Sequence, residues 1–62
     1  MCESKAYLKN KDGVETKIMD AVIVAVPKDN GVYLEDILGD SKFVEGILRE
    51  VKLLDHRIVI EA

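Results

Sequence analysis

The stretch Phe43-Val44-Glu45-Gly46-Ile47-Leu48-Arg49-Glu50-Val51-Lys52-Leu53-Leu54 decides the fold of this 62-residue chain, because it can be read with either of two periods. Phe43, Ile47, Val51 and Leu54 recur at spacings of four, four and three, as on one face of an amphipathic helix. Two features oppose the helix. Gly46 would cost about 1 kcal/mol in a helix interior relative to Ala, and neither Asp40 nor Ser41 has the Glu or Gln three residues on that completes a capping box. A bulge at Gly46 restores a strand reading, so the chain is predicted to be β throughout.

Both flanks agree with that choice. On the amino-terminal side, Ala21-Val22-Ile23-Val24-Ala25-Val26 is apolar at every position and rich in β-branched side chains, which predicts a central strand buried on both faces. Pro27 cannot donate to a ladder and should end that strand, with Lys28-Asp29-Asn30-Gly31 as a turn and the next strand running from Val32 to about Leu38. Met19-Asp20 should break or bulge the run before it. Further back, Asn10-Lys11-Asp12-Gly13 has turn chemistry, and Val14, Thr16 and Ile18 alternate with Glu15 and Lys17, so residues 1–8 and the segment after Gly13 form a hairpin. In the first strand Cys2, Ser4, Ala6 and Leu8 share the less polar face. On the carboxy-terminal side, a turn at Leu54-Asp55-His56-Arg57 leads to a last strand over residues 58–61. Five or six short strands predict an all-β, small antiparallel barrel, SH3-like or OB-like, as one domain over residues 1–62.

Composition bounds what such a domain does. A chain this small buries only about 60% of the surface exposed when unfolded, so a dimer or a metal would help it. A lone Cys forms no internal disulfide, which fits a reducing cytoplasm. No secretory leader or membrane span is expected, because the longest apolar run, residues 21–26, is far short of the roughly 20 residues a spanning helix needs and nothing basic precedes it. Nine Lys plus Arg against twelve Asp plus Glu give a net charge of −3, the wrong sign for nonspecific neutralisation of phosphates. RNA is therefore the second choice of partner.

The side chains offer little catalytic chemistry. One Cys, one His and no Gly-x-Ser-x-Gly elbow leave no nucleophile and base pair to assemble, and neither a Cys-x-x-Cys nor a Gly-rich phosphate loop is present. An enzyme is not expected. Gly13, Gly31 and Gly39 read as turn residues. Glu35, Asp36 and Asp40 read as a solvated acidic face that could attract a cation, and His56 as a solvated turn residue, a metal's outer partner or a metal ligand. Tyr7, Tyr33 and Phe43 are too scattered for a base-stacking platform and suit packing.

Cys2 keeps two readings. It is either a small buried side chain at the start of a strand or a thiolate ligand. Trimming of Met1 would add an amine beside that sulfur, and the pair would close a five-membered chelate. One chain supplies too few donors, but a two-fold dimer would bring two thiolates and two nitrogens, from the amino termini or from backbone amides. That set suits square-planar Ni(II) or Cu(II).

The opening Met1-Cys2-x-x-Lys5-Ala6-Tyr7-Leu8, the pattern Ile18-Met19-x-x-Val22 and the closing Val51-x-Leu53-x-Asp55-His56-x-Ile58 resemble the CooT family of small nickel-binding proteins. The likeness runs nearly end to end, and the Met-Cys start is its specific part. It implies a compact β-barrel homodimer that binds Ni(II) at the interface through Cys2, with Glu3 and Ser4 supplying backbone nitrogen only, and a role in nickel handling for maturation of carbon monoxide dehydrogenase or a related metalloenzyme. Similar sequences are also described as RNA-binding proteins. The small barrel chaperones of hydrogenase maturation share the Met-Cys start, but they continue with a Pro-Gly turn that Ser4 to Leu8 lacks.

Overall fold

The computed structural model describes residues 3–62. Its six strands run β1 Ser4–Lys9, β2 Glu15–Lys28, β3 Gly31–Asp36, β4 Ser41–Glu45, β5 Ile47–Lys52 and β6 Arg57–Glu61. They form one sheet in the order β4-β3-β2-β1-β6-β5, with no helix among the described residues. Residues 1 and 2 of the expected first strand lie outside that range.

The long stretch that decided the fold is strand up to Lys52, as its residues predict, with Leu53 and Leu54 already in the following turn, but Gly46 is a corner and not a bulge. It separates β4 from β5, which sit at opposite edges of the sheet. Its φ of +146° suits glycine alone, and a Cβ there would meet the Glu61 carbonyl oxygen at 2.7 Å. The Gly46 N–H donates to the Asn30 carbonyl at 3.0 Å. Because Glu45 and Ile47 belong to opposite edges, the sheet must curl on itself. It is nevertheless not closed into a barrel: no ladder joins β4 to β5 among the described residues. Nor is it wholly antiparallel, since β1 pairs β6 in parallel from Lys5↔Arg57 to Lys9↔Glu61.

β2 runs on through Pro27 instead of ending there. β1 flanks it only as far as Val22, so Pro27, opposite Val32, sits where one side of β2 carries no ladder and a missing N–H is tolerated. The expected irregularity near Met19-Asp20 is present as register shifts against β1, with Ala21 at φ +52°. In the next hairpin the positive φ falls on Asp29, and Gly31 is already the first residue of β3. Glycine is required at 31 for close approach, because a Cβ would lie 2.6 Å from the Phe43 ring.

Alternation along β1, β3 and β6 sends Ala6, Val32, Leu34, Ile58 and Ile60 to the concave face, where they pack with Val22. Val59 is buried on the opposite face, flanked in register by Tyr7 and Glu50. The central apolar run is not buried on both sides, as its composition predicts: Ile23 and Val26 are 50% and 45% exposed. A single sheet has nothing to cover its convex face there. Among the described residues seven apolar side chains are buried and ten large ones stay exposed, which leaves a small core and much surface fit for a partner.

Candidate metal centre

The parallel pairing of β1 with β6 fixes what surrounds the start of β1. Ser4 opposes Val22 of β2, and the Lys5 N–H donates to the His56 carbonyl at 2.9 Å. The amino-terminal end of β1 therefore lies beside the turn over residues 53–56. The β3–β4 turn comes to the same end, because Val22 opposes Asp36 and the Ile37 N–H donates to the Ala21 carbonyl at 2.9 Å. Three segments distant in sequence thus lie at one end of the sheet, the end at which β1 begins.

That end is apolar and open. Leu38, Leu53 and Leu54 are 84%, 78% and 96% exposed, and Ile23 and Ile37 are also exposed. An open groove of about 610 Å³ runs between the β2 irregularity and the β3–β4 turn, with Ile18, Met19, Ile37 and Leu38 along it and Lys17 and Lys42 at its sides. Its charges are largely committed. Lys17 pairs with Asp20 at 3.1 Å and Lys42 donates to the Ile18 carbonyl.

Of the residues singled out in the sequence, Cys2 lies outside the described range. Glu3 is exposed and precedes β1, while Ser4 is half-buried as its first residue. His56 is exposed in the turn at φ +53°, so the expectation of a solvated turn residue holds, and the backbone carbonyl is what ties it to β1. The acidic residues have structural work. Asp36 Oδ1 accepts from the N–H groups of Leu38 and Asp40 and orders the β3–β4 turn, while Glu35 accepts from the Tyr33 hydroxyl at 3.0 Å. No group of three or more His, Cys, Asp or Glu able to hold a metal occurs among the described residues. One chain, so far as it is described, does not complete a metal site with its side chains.

A small curled all-β sheet with an apolar, open end defines a small β protein with a surface open to a partner. The family model for CooT, described as CO dehydrogenase accessory protein CooT, matches residues 1–61, and the chain belongs to that family. A crystal structure assigned to CooT from Carboxydothermus hydrogenoformans is similar, with 33% sequence identity and a TM-score of 0.84, over 97% of this chain and 95% of that one. No curated protein matches. The family description is of an accessory to CO dehydrogenase, not of the catalyst. Among the described residues no helix is long and apolar enough to cross a membrane.

Proposed function

We propose that this chain carries Ni(II) as cargo for the maturation of carbon monoxide dehydrogenase, held between two copies in a reducing cytoplasm. Each copy contributes the Cys2 thiolate and one nitrogen, giving a four-coordinate set of two sulfurs and two nitrogens that suits square-planar Ni(II). Glu3 and Ser4 enter through their backbone and not their side chains. The Lys5 nitrogen is already committed to His56, whereas Glu3 precedes the ladder.

The observation that carries this reading is the exposure of Leu38, Leu53 and Leu54 around the start of β1 in a chain of the CooT family. Single exposed leucines are ordinary, but three from two turns at the end of the sheet where β1 begins suit a self-complementary two-fold contact. Such a contact would bring both Cys2 residues to one axis.

Titration with Ni(II) tests it. Thiolate-to-metal charge-transfer absorption should grow to saturation at one metal per two chains, and Cys2→Ser should abolish it. Equal nickel binding by the substituted protein would sink the proposal.

A further inference from the structure

The turn between β2 and β3 does more than reverse the chain, because Asn30 reaches from it to the corner at Gly46. Its side-chain Nδ2 donates to Glu45 Oε2 at 3.0 Å, and its main-chain carbonyl accepts from the Gly46 N–H at 3.0 Å. Its neighbour Gly31 pairs with Lys28 on one side and with Glu45 on the other. One asparagine thus holds the last residue of β4 and the glycine that turns the chain toward β5.

The residue that follows makes this asparagine chemically labile. A main-chain nitrogen attacks the amide carbon of a preceding asparagine most readily when its own residue has no side chain to obstruct the approach. Gly31 meets that condition, and packing keeps it there: a Cβ would lie 2.6 Å from Phe43 Cζ and would also run into the Val44 carbonyl oxygen. Asn30 is exposed at the hairpin tip, within reach of water and base. Gly31 is buried in the ladder, so attack waits on local opening of the turn, the kind of opening that costs least at such tips. The chain's other asparagine, Asn10, is followed by Lys11, whose side chain obstructs the same attack.

We infer that Asn30–Gly31 is a self-modification site, which deamidates through a succinimide to products that loosen the corner between β4 and β5. When the turn opens, the Gly31 nitrogen gives its proton to base and bonds to Asn30 Cγ, and Nδ2 leaves as ammonia. Water then opens the ring. Breaking the Cγ–N bond gives aspartate; breaking the bond from nitrogen to the main-chain carbonyl carbon gives isoaspartate, whose chain runs on through Cγ. The net change is hydrolysis of an amide to an acid and ammonia, with no oxidant or reductant. Aspartate sets a carboxylate where Nδ2 had donated to Glu45, so two anions face each other. Isoaspartate also lengthens the loop by one main-chain carbon, against the register of Lys28↔Gly31, and moves the carbonyl that held the Gly46 N–H off the main chain as a carboxylate. Neither product remakes the closed turn, so the change runs one way and marks copies by age. This reading is independent of Cys2 and of nickel.

The test ages the full chain in mildly alkaline buffer at body temperature and follows the tryptic fragment 29–42 by mass spectrometry. That fragment should gain the mass of an amide converted to an acid, as a mixture of aspartate and isoaspartate, well ahead of any change at Asn10. The more acidic fraction, separated by ion exchange, should melt about 4–8 °C below the parent. Asn30→Asp should melt lower by a similar amount, and adding Glu45→Gln, which offers the new carboxylate a donor, should restore most of the loss. The aged parent carries no substitution and decides the matter even where Asn30→Asp folds poorly. Conversion at Asn10 as fast as at Asn30, conversion only in the urea-unfolded chain, an acidic fraction that melts with the parent, or an Asn30→Asp variant indifferent to Glu45→Gln would each overturn the inference.

Discussion

Replacing Gly46 with Ala tests whether the corner between β4 and β5 governs the fold. Two costs add. The backbone at φ +146° lies in a region open to glycine, and forcing a Cβ into it costs about 1–3 kcal/mol. That Cβ would also stand 2.7 Å from the Glu61 carbonyl oxygen and 2.9 Å from Ile60 Cγ2, and overpacking of this kind costs about 1–3 kcal/mol more. A domain of this size has roughly 3–9 kcal/mol in total, and each kcal/mol moves the melting point by about 4–8 °C. The sum, about 2–6 kcal/mol, corresponds to a fall of about 10–50 °C by circular dichroism, the upper end being loss of the fold. Gly39→Ala is the control, because its φ is +90° but nothing lies within 4 Å of the added carbon, so only the conformational part, about 5–10 °C, should appear. Equal melting points for the two variants would refute the claim that close approach to β6 makes glycine obligatory at 46.

Two further outcomes bear on the turns at the amino-terminal end. If two copies pair as proposed, Leu54→Asp should leave the melting point within a few degrees, since the side chain is 96% exposed, yet reduce self-association in sedimentation; no change in self-association would count against a contact at this end of the sheet. Asp36→Ala should cost about 1 kcal/mol by removing the acceptor of two backbone N–H groups, and Asp36→Asn, which retains Oδ1, should recover most of it in a denaturant titration.

What could be read in the residues follows their range of action. The turn at Asn10 to Gly13 is local chemistry: Asn10 Oδ1 accepts from the N–H groups of Asp12 and Val14, and Gly13 takes φ +84°. Strand character over residues 43–52 was legible because Gly46 and the missing capping box both argued against a helix. The corner at Gly46 was not, because a bulge and a corner demand the same residue and differ only in where the next strand goes. The parallel pairing of β1 with β6 was hidden for a similar reason: its partners stand 52 residues apart from Lys5↔Arg57 onward, and no local pattern encodes it. Burial of residues 21–26 was overstated, since an apolar run marks a surface that wants covering and does not say whether the same chain supplies the cover.

Under the proposed reading, that uncovered surface has thermodynamic consequences. Burying Leu38, Leu53 and Leu54 of both copies would contribute on the order of 10–15 kcal/mol, against an association cost of similar size in lost translational and rotational freedom. Apolar contact alone would then leave a weak dimer. If the cargo is held by one thiolate from each copy, metal binding and association are linked, and each strengthens the other by the same factor. Nickel affinity should then depend on protein concentration, and separating the copies would be equivalent to opening the coordination shell. A partner enzyme that competes for one copy's apolar end would release the metal without supplying a stronger ligand. A carrier has reason to keep this end of its sheet bare: a monomer that buried it would hold neither its second copy nor a route for unloading.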